Sequence, residues 1–326
     1  MSHPTQSSPF DVVVVGSVQM DLIATAKRLP RPGASTLGTG FEMHPGGKAG
    51  NQAVAAAQQG SRTAIVARVG NDAFGQALCD SLAAKGVDIS LVQRDEHQAT
   101  GVSPVLMADS GEYSSIIVPG ASHTLTPVRL QPALAAISSC AVLMLQLEIG
   151  LDTIAAAAKE ASAGGATVVL NAAPAPTQSE TATWELWRYV DLLIVNRHEA
   201  EELLALEKIA TRDALEPALA VKRRFDVDAV MVTLGARGAA LTCDSGRLHV
   251  PGHAVEVLDT IGAGDALAGA VAAAIARGDS LSEALTWGNA AGALAVGRRG
   301  AHDAAPSLSE TRAFLNEQGQ LDGASV

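Results

Sequence analysis

The chain of 326 residues carries 23 Lys and Arg against 34 Asp and Glu, a formal charge of −11; hydrophobic residues make up 48% and aromatics only 3%. The acidic balance excludes a nonspecific binder of nucleic acid or anionic membrane, since both need a dense basic patch, and no apolar run reaches the roughly 18 residues of a spanning helix. The length predicts about two units, or one large domain with an appendage, around a core of Ala, Val, Leu and Ile.

The first nine residues are polar, with no basic stretch followed by an apolar one, so no export signal is expected. Asp11–Gly16 (DVVVVG) is an apolar run ending in glycine and predicts a buried parallel strand. Residues 21–43, with Pro30, Pro32 and several glycines, predict short antiparallel strands. Gly46–Gln59 opens on a glycine pair and continues as an Ala-rich helix. Thr63–Gly70 predicts another strand and Ala73–Lys85 a helix; Thr100–Val118 predicts two strands around an Asp109-Ser-Gly-Glu112 turn. Four further apolar runs, Ala141–Leu147, Thr167–Leu170, Leu192–Val195 and Ala229–Thr233, alternate with helical stretches at Thr153–Ser162, Arg197–Glu207 and Arg212–Arg224. Two Ala-rich helices close the pattern, at about Ala263–Ala276 and Leu281–Val296.

Strands alternating with helices argue for an α/β fold, a parallel sheet covered on both faces. The two strand-rich interruptions are expected to form one small accessory sheet, placed as a lid near the strand ends. The expected division is a core of 10–20, 44–98 and 120–317, a β lid of 21–43 and 99–119, and flexible termini at 1–9 and 318–326. Cys79, Cys140 and Cys243 are odd in number, far apart and form no CxxC pair. They predict buried thiols rather than a zinc or disulfide scaffold, and fit a reducing cytoplasm.

The strongest chemical signal is Asp259-Thr-Ile-Gly-Ala-Gly-Asp265, followed by a helix of small residues. Gly262 and Gly264 let backbone approach a ligand, and the helix aims free N–H groups at the loop, making an anion site. A carboxylate beside a bound phosphate is repelled by it, so Asp265 suits taking a proton from an attacking hydroxyl. Pro45-Gly-Gly-Lys-Ala-Gly-Asn51 precedes another helix, where Lys48 and Asn51 offer donors for hydroxyl groups. It is not a Walker A loop, because Lys48 is followed by Ala49. Gly16-Ser-Val-Gln-Met-Asp21 lies at the end of the first strand, where Asp21 could accept two sugar hydroxyls or simply turn the chain.

Asn196-Arg-His-Glu199 follows a strand. By itself it reads first as an Asn helix cap with a first-turn Glu, and second as a polar pair for Mg²⁺ and its waters. Thr233-Leu-Gly-Ala-Arg-Gly238 is a strand end with a turn able to lie against phosphates or ribose. The eight histidines form no HExxH pair, and there is neither GxSxG nor GxGxxG after the first strand.

Together these strings, in this order, resemble the ribokinase-like (PfkB-type) sugar kinase family from about Asp11 to Ser307, with local support from Asn171-Ala-Ala-Pro-Ala-Pro176 and Arg298-Arg-Gly-Ala301. The resemblance implies a Rossmann-like three-layer αβα sandwich with a small β-sheet lid. It also implies ATP-dependent phosphorylation of a sugar's primary hydroxyl, D-ribose first. Alternatives are deoxyribose, another sugar or a nucleoside on the same fold, and last a non-catalytic sugar sensor.

Carried over by position, Gln19, Asp21, Gly46, Gly47, Lys48, Asn51 and Glu148 would face the sugar, with Asp265 as base and Gly262, Ala263 and Gly264 as anion hole. Asn196, Thr233, Gly235, Gly238, Gly264 and Asn289 would face the nucleotide, with Asn196 and Glu199 near Mg²⁺. Asp259, Ile261, Ala295, Arg298 and Gly300 would hold K⁺, mostly through backbone carbonyls. The resemblance further implies a homodimer joined through the lid, and the partners are a small sugar and ATP rather than nucleic acid or membrane.

Four positions depart from the family pattern. Gln19 replaces Asn, Ala49-Gly50 reverses Gly-Ala, Ser122 replaces a lid Asn, and Ala304 replaces a Ser that would assist the cation. The first three bear on sugar identity and the last on cation affinity.

Overall fold

The computed structural model describes residues 8–110, 112–176, 185–205 and 213–320. Of the ends expected to be flexible at 1–9 and 318–326, residues 1–7 and 321–326 lie outside the described residues, as do the helical stretches where they run through 206–212. In chain order the strands are β1 (Val12–Val15), β2 (Gln19–Ala26), β3 (Gly40–Gly46), β4 (Thr63–Val66), β5 (Arg68–Gly70), β6 (Gln93–Asp95), β7 (Gly101–Ala108) and β8 (Tyr113–Ser115). They continue as β9 (Val142–Leu145), β10 (Thr167–Asn171), β11 (Leu192–Asn196), β12 (Ala229–Thr233), β13 (Ala239–Cys243) and β14 (Gly246–Val250).

The central sheet has the order β14-β13-β12-β11-β10-β9-β1-β4. From β12 to β4 its neighbours are parallel, and β13 and β14 add an antiparallel edge. The parallel strands are continuous apolar runs because both faces are covered. Val12 and Val14 pack with the helices Lys48–Gln58, Ala73–Ala84, Ala263–Arg277 and Leu281–Ala295. Val13 and Val15 pack on the opposite face, with Leu151–Gly164 and Glu216–Phe225. The result is the expected three-layer α/β sandwich.

Small side chains set the spacing of the helices over the site. A Cβ added at Gly269 would lie 2.5 Å from Ala55 Cβ and 2.6 Å from the Gln52 carbonyl oxygen. The helix Lys48–Gln58 therefore lies almost backbone to backbone with Ala263–Arg277, and a core this poor in aromatics permits it.

A second sheet has the order β3-β2-β7-β8. It is mixed rather than antiparallel: β2 pairs β3 antiparallel but β7 in parallel, with Gln19 opposite Gly101. Both strands leave the main body at the same level and run outward, and each returns through its own antiparallel partner. The strand expected over Thr63–Gly70 is divided at Ala67. The chain leaves the central sheet at Arg68, where the buried guanidinium meets Asp95 at 2.8 Å, and β5 pairs β6 in a separate two-stranded sheet. Cys79 and Cys140 are buried free thiols, while Cys243 is only half-buried. No helix among the described residues is long and apolar enough to cross a membrane.

Candidate active site

The glycine pair before the helix Lys48–Gln58 has two separate physical reasons. A Cβ at Gly46 would lie 2.4 Å from an Asp21 carboxylate oxygen, so the strand passes that close only without one. Gly47 has φ +86, a left-handed conformation that turns the chain into the helix. Lys48, at the first helical position, donates its backbone N–H to Glu148 Oε2 at 3.0 Å, and Ser17 Oγ donates to the same oxygen. Asp21, Glu148, Lys48 and Asn51 are thus gathered where β1 and β9 end and β2 begins.

Asp265 lies in the first turn of the helix Ala263–Arg277, behind Gly262 with φ +76. Its carboxylate accepts from Asn51 Nδ2 and from Gln52 Nε2, both at 2.8 Å. Gln52 Nε2 also donates to Asn171 Oδ1 at 2.9 Å, and Gln146 donates to Gln52 Oε1. This buried chain of amides orients Asp265. Gln52 and Gln146 lie outside the residues singled out from the sequence, and Asn171 was quoted there without a role. Their signal was a Gln inside an alanine helix and a Gln inside an apolar strand. Asn51 Oδ1 is buried without a hydrogen-bond partner.

The electrostatics follow from crowding. Burial raises the Asp265 carboxyl, against the opposing pull of Lys48 and the two amide donors. Burial and the repulsion of Glu148 push Asp21 up to about 6, although the Gln19 side chain hydrogen-bonds its carboxylate. Burial works against the Lys48 ammonium, but Asp265, Glu148, Glu199 and Asp21 outweigh it and hold the pKa above its ordinary value.

On the far side of Asp265 a cavity of about 650 Å³ is lined by Thr233, Gly235, Gly238, Gly264 and Asn289, among others. Asn289 Nδ2 donates to the Pro251 carbonyl at 2.9 Å. A smaller cavity of about 150 Å³ is lined by Asp265 together with Lys48, Gly262, Gly264, Asn196 and Glu199. Asn196 caps its helix: Oδ1 accepts from Glu199 N at 2.8 Å, while Asn196 N donates to Glu199 Oε2 at 2.7 Å. The capping reading is therefore correct, and the Glu199 carboxylate still borders the cavity. Burial raises its pKa.

Asp259 accepts from Ile261 N at 2.9 Å and Gly300 N at 3.4 Å, tying the two loops together. Asp259, Ile261 and Gly300 border a third cavity of about 280 Å³, between these loops and the face of the small sheet that bears Asp21 and His44. Ala295 and Arg298 do not line it. Ala295 is buried with Ala266 and Ala304, and the Arg298 guanidinium turns away to Glu310 at 2.6 Å. Ser122, expected in the lid near the sugar, is buried beneath it instead. Its hydroxyl bonds the backbone of Val18 and the carbonyl of Arg68, fastening the root of β2.

Residues 10–308 match the profile of the pfkB family carbohydrate kinases. The chain belongs to this family. As a pfkB-family sugar kinase it is similar to the ribokinase of Bacillus subtilis, 33% identical over 307 residues that cover 94% of this chain and 99% of that protein. It is 28% identical to the deoxyribokinase of Salmonella typhi over 310 residues, covering 94% and 99%. A solved structure of Arabidopsis thaliana ribokinase complexed with ribose and ATP matches with a TM-score of 0.86 at 29% identity, covering 94% of this chain and 98% of that one. The cavity of about 150 Å³ that Asp265 lines shares Thr233 and Gly264 with the cavity of about 650 Å³.

Proposed function

We propose that this sugar kinase transfers the terminal phosphate of ATP to the primary hydroxyl of D-ribose, giving D-ribose 5-phosphate, with Asp265 as general base. The observation that carries this reading is the place of Asp265. It lies at a helix N-terminus, between the Asp21, Asn51 and Glu148 group and the cavity of about 650 Å³. Ribose and ATP are the ligands of the Arabidopsis neighbour.

In this reading Asp21, Glu148, Lys48 and Asn51 hold the sugar against the Gly46-Gly47 turn. The Asn51 Oδ1 that lacks a partner accepts from a sugar hydroxyl, and Gln19 sets the depth at which Asp21 is met. ATP lies along Thr233, Gly235, Gly238 and Asn289. The raised pKa of Asp265 suits a proton acceptor, and the N–H groups of Gly262, Ala263 and Gly264 with Lys48 offset the growing negative charge. The small sheet acts as a lid that excludes water, the rest of the chain being the core.

Among the described residues no cluster of three His, Cys, Asp or Glu could cage a metal. Glu199, beside Asn196, suits Mg²⁺ held mainly by waters and substrate phosphates, where it neutralises phosphate charge. Of the five positions expected to hold K⁺, Asp259, Ile261 and Gly300 border one cavity and offer a carboxylate and backbone carbonyls there, whereas Ala295 and Arg298 do not line it. Free thiols fit a cytoplasmic enzyme. The outer face of the small sheet leaves Phe41 62% and Met43 54% exposed, which supports a homodimer through the lid.

A coupled assay of ADP release across pentoses, hexoses and nucleosides tests the substrate, with ribose expected to give the highest kcat/KM. Deoxyribose is the second reading, favoured by Gln19 and by the deoxyribokinase relative. Asp265→Asn is expected to lower kcat about 10²- to 10⁴-fold with the fold intact; near-normal turnover refutes the role.

A further inference from the structure

The reversed Ala49-Gly50 pair has a structural partner far away in the chain. Gly50 lies in the first turn of the helix Lys48–Gln58, where glycine costs about 1 kcal/mol relative to alanine. It has no positive φ to justify it. Space does: a Cβ there would lie 2.9 Å from Val18 Cγ1 and 3.4 Å from His302 Nε2.

His302 is 3% exposed. Its Nδ1 is 2.9 Å from Ser81 Oγ, on the helix Ala73–Ala84, whereas Nε2, the atom facing Gly50, is buried without a partner. An unpartnered ring nitrogen is a cost, so the ring's contribution at this end is volume. Burial pushes the imidazole down to about 4, which leaves it neutral at ordinary pH. The short helix Ala301–Ala304 that carries it is held on two further sides. A Cβ at Gly262 would lie 2.8 Å from Ala301 Cβ, and Asp303 pairs with Lys85 at 2.7 Å. The ring therefore cannot slide away from Gly50 without disturbing the anion-hole turn.

We propose that His302 is a positioning residue for the sugar: its imidazole, braced by Ser81 and seated on Gly50, sets the height of the helix turn that carries Lys48 and Asn51. A methyl group at position 50 lifts that turn, and an empty space at 302 lets it drop; either moves Lys48 and Asn51 relative to Asp21 and Asp265. The inference rests on the sugar-binding role given above to Lys48 and Asn51.

The test is a double-mutant cycle on the full-length enzyme with Gly50→Ala, His302→Ala and both together. Sugar KM, ATP KM, kcat and Tm are measured for each. Gly50→Ala is expected to raise sugar KM about tenfold or more with ATP KM unchanged, and His302→Ala several-fold. The double variant should fall short of the product of the two single effects, because the vacated space gives the turn room to settle, but not return to the starting value, because Val18 Cγ1 still crowds the new methyl group at 2.9 Å. His302→Gln, which can still reach Ser81, supplies the second reading of position 302 if the alanine variant does not fold, and is expected to shift sugar KM less than twofold. Folded single variants with unchanged sugar KM, or effects that multiply independently in the double variant, overturn the proposal. Asn51→Ala separates the two levels of the argument. If it leaves sugar KM unchanged, the sugar-site reading itself fails; if it raises KM and the Gly50 and His302 variants do not, only the positioning role fails.

Discussion

Asp21 puts the proposed sugar site in conflict with the stability of the fold. Its carboxyl is pushed from an ordinary 3.8 up to about 6, chiefly by burial and then by Glu148. A carboxyl raised in the folded state binds its proton more tightly there than in the unfolded chain. It costs nothing below about pH 4, where both states are protonated, and its full cost is present above about pH 6. A shift of that size corresponds to about 3 kcal/mol, and solvent at this half-buried side chain reduces it to about 1–2 kcal/mol. Asp21→Asn is therefore expected to stabilise the protein at pH 7.5, raising Tm by about 2–4 °C, with the gain fading as pH falls toward 4. In the proposed sugar site the same change removes a charged acceptor for sugar hydroxyls, so kcat/KM for the sugar should fall about 10²-fold or more. Scanning calorimetry between pH 4 and 8, paired with initial rates, reads both effects. A variant that loses Tm at pH 7.5, or whose change in Tm is the same at every pH, refutes the electrostatic reasoning.

Two other expectations concern the loops and the outer face of the small sheet. Replacing K⁺ by Na⁺ in the assay should lower the rate several-fold; equal rates in both salts count against the proposed cation site. Sedimentation should give a dimer for the parent enzyme and a monomer for Phe41→Glu/Met43→Glu, and a parent that sediments as a monomer removes the interface.

The central sheet was readable because strands buried on both faces must be apolar along their whole length, as in Asp11–Gly16 and Ala229–Thr233. The loop ending in Asp265 was readable because two glycines and an acid before a small-residue helix have few other uses. The partners of Asp265 were not. Gln52 comes from a helix more than two hundred positions earlier, and only the close approach at Gly269 brings it into reach. Ser122 looked like a substrate residue because its neighbours fit the family pattern, yet its short side chain is consumed by the backbone at the root of β2. Thr63–Gly70 reads as one strand because alternation cannot reveal that its second half changes sheets.

The parallel pairing of β2 with β7 also bears on how the protein is made. Residues 19–26 emerge from the ribosome with 40–46 and can form a hairpin at once, but their other neighbour, 101–108, follows some eighty positions later. Pairing across that distance must overcome a large loop-closure entropy, so the small sheet is completed only after the intervening segment has collapsed onto the core. Until then β2 presents an unpaired edge beside the exposed Phe41 and Met43. An unpaired edge beside exposed apolar side chains invites association with other chains, so folding of residues 47–95, which brings 101–108 to β2, shortens the time this hairpin stands open.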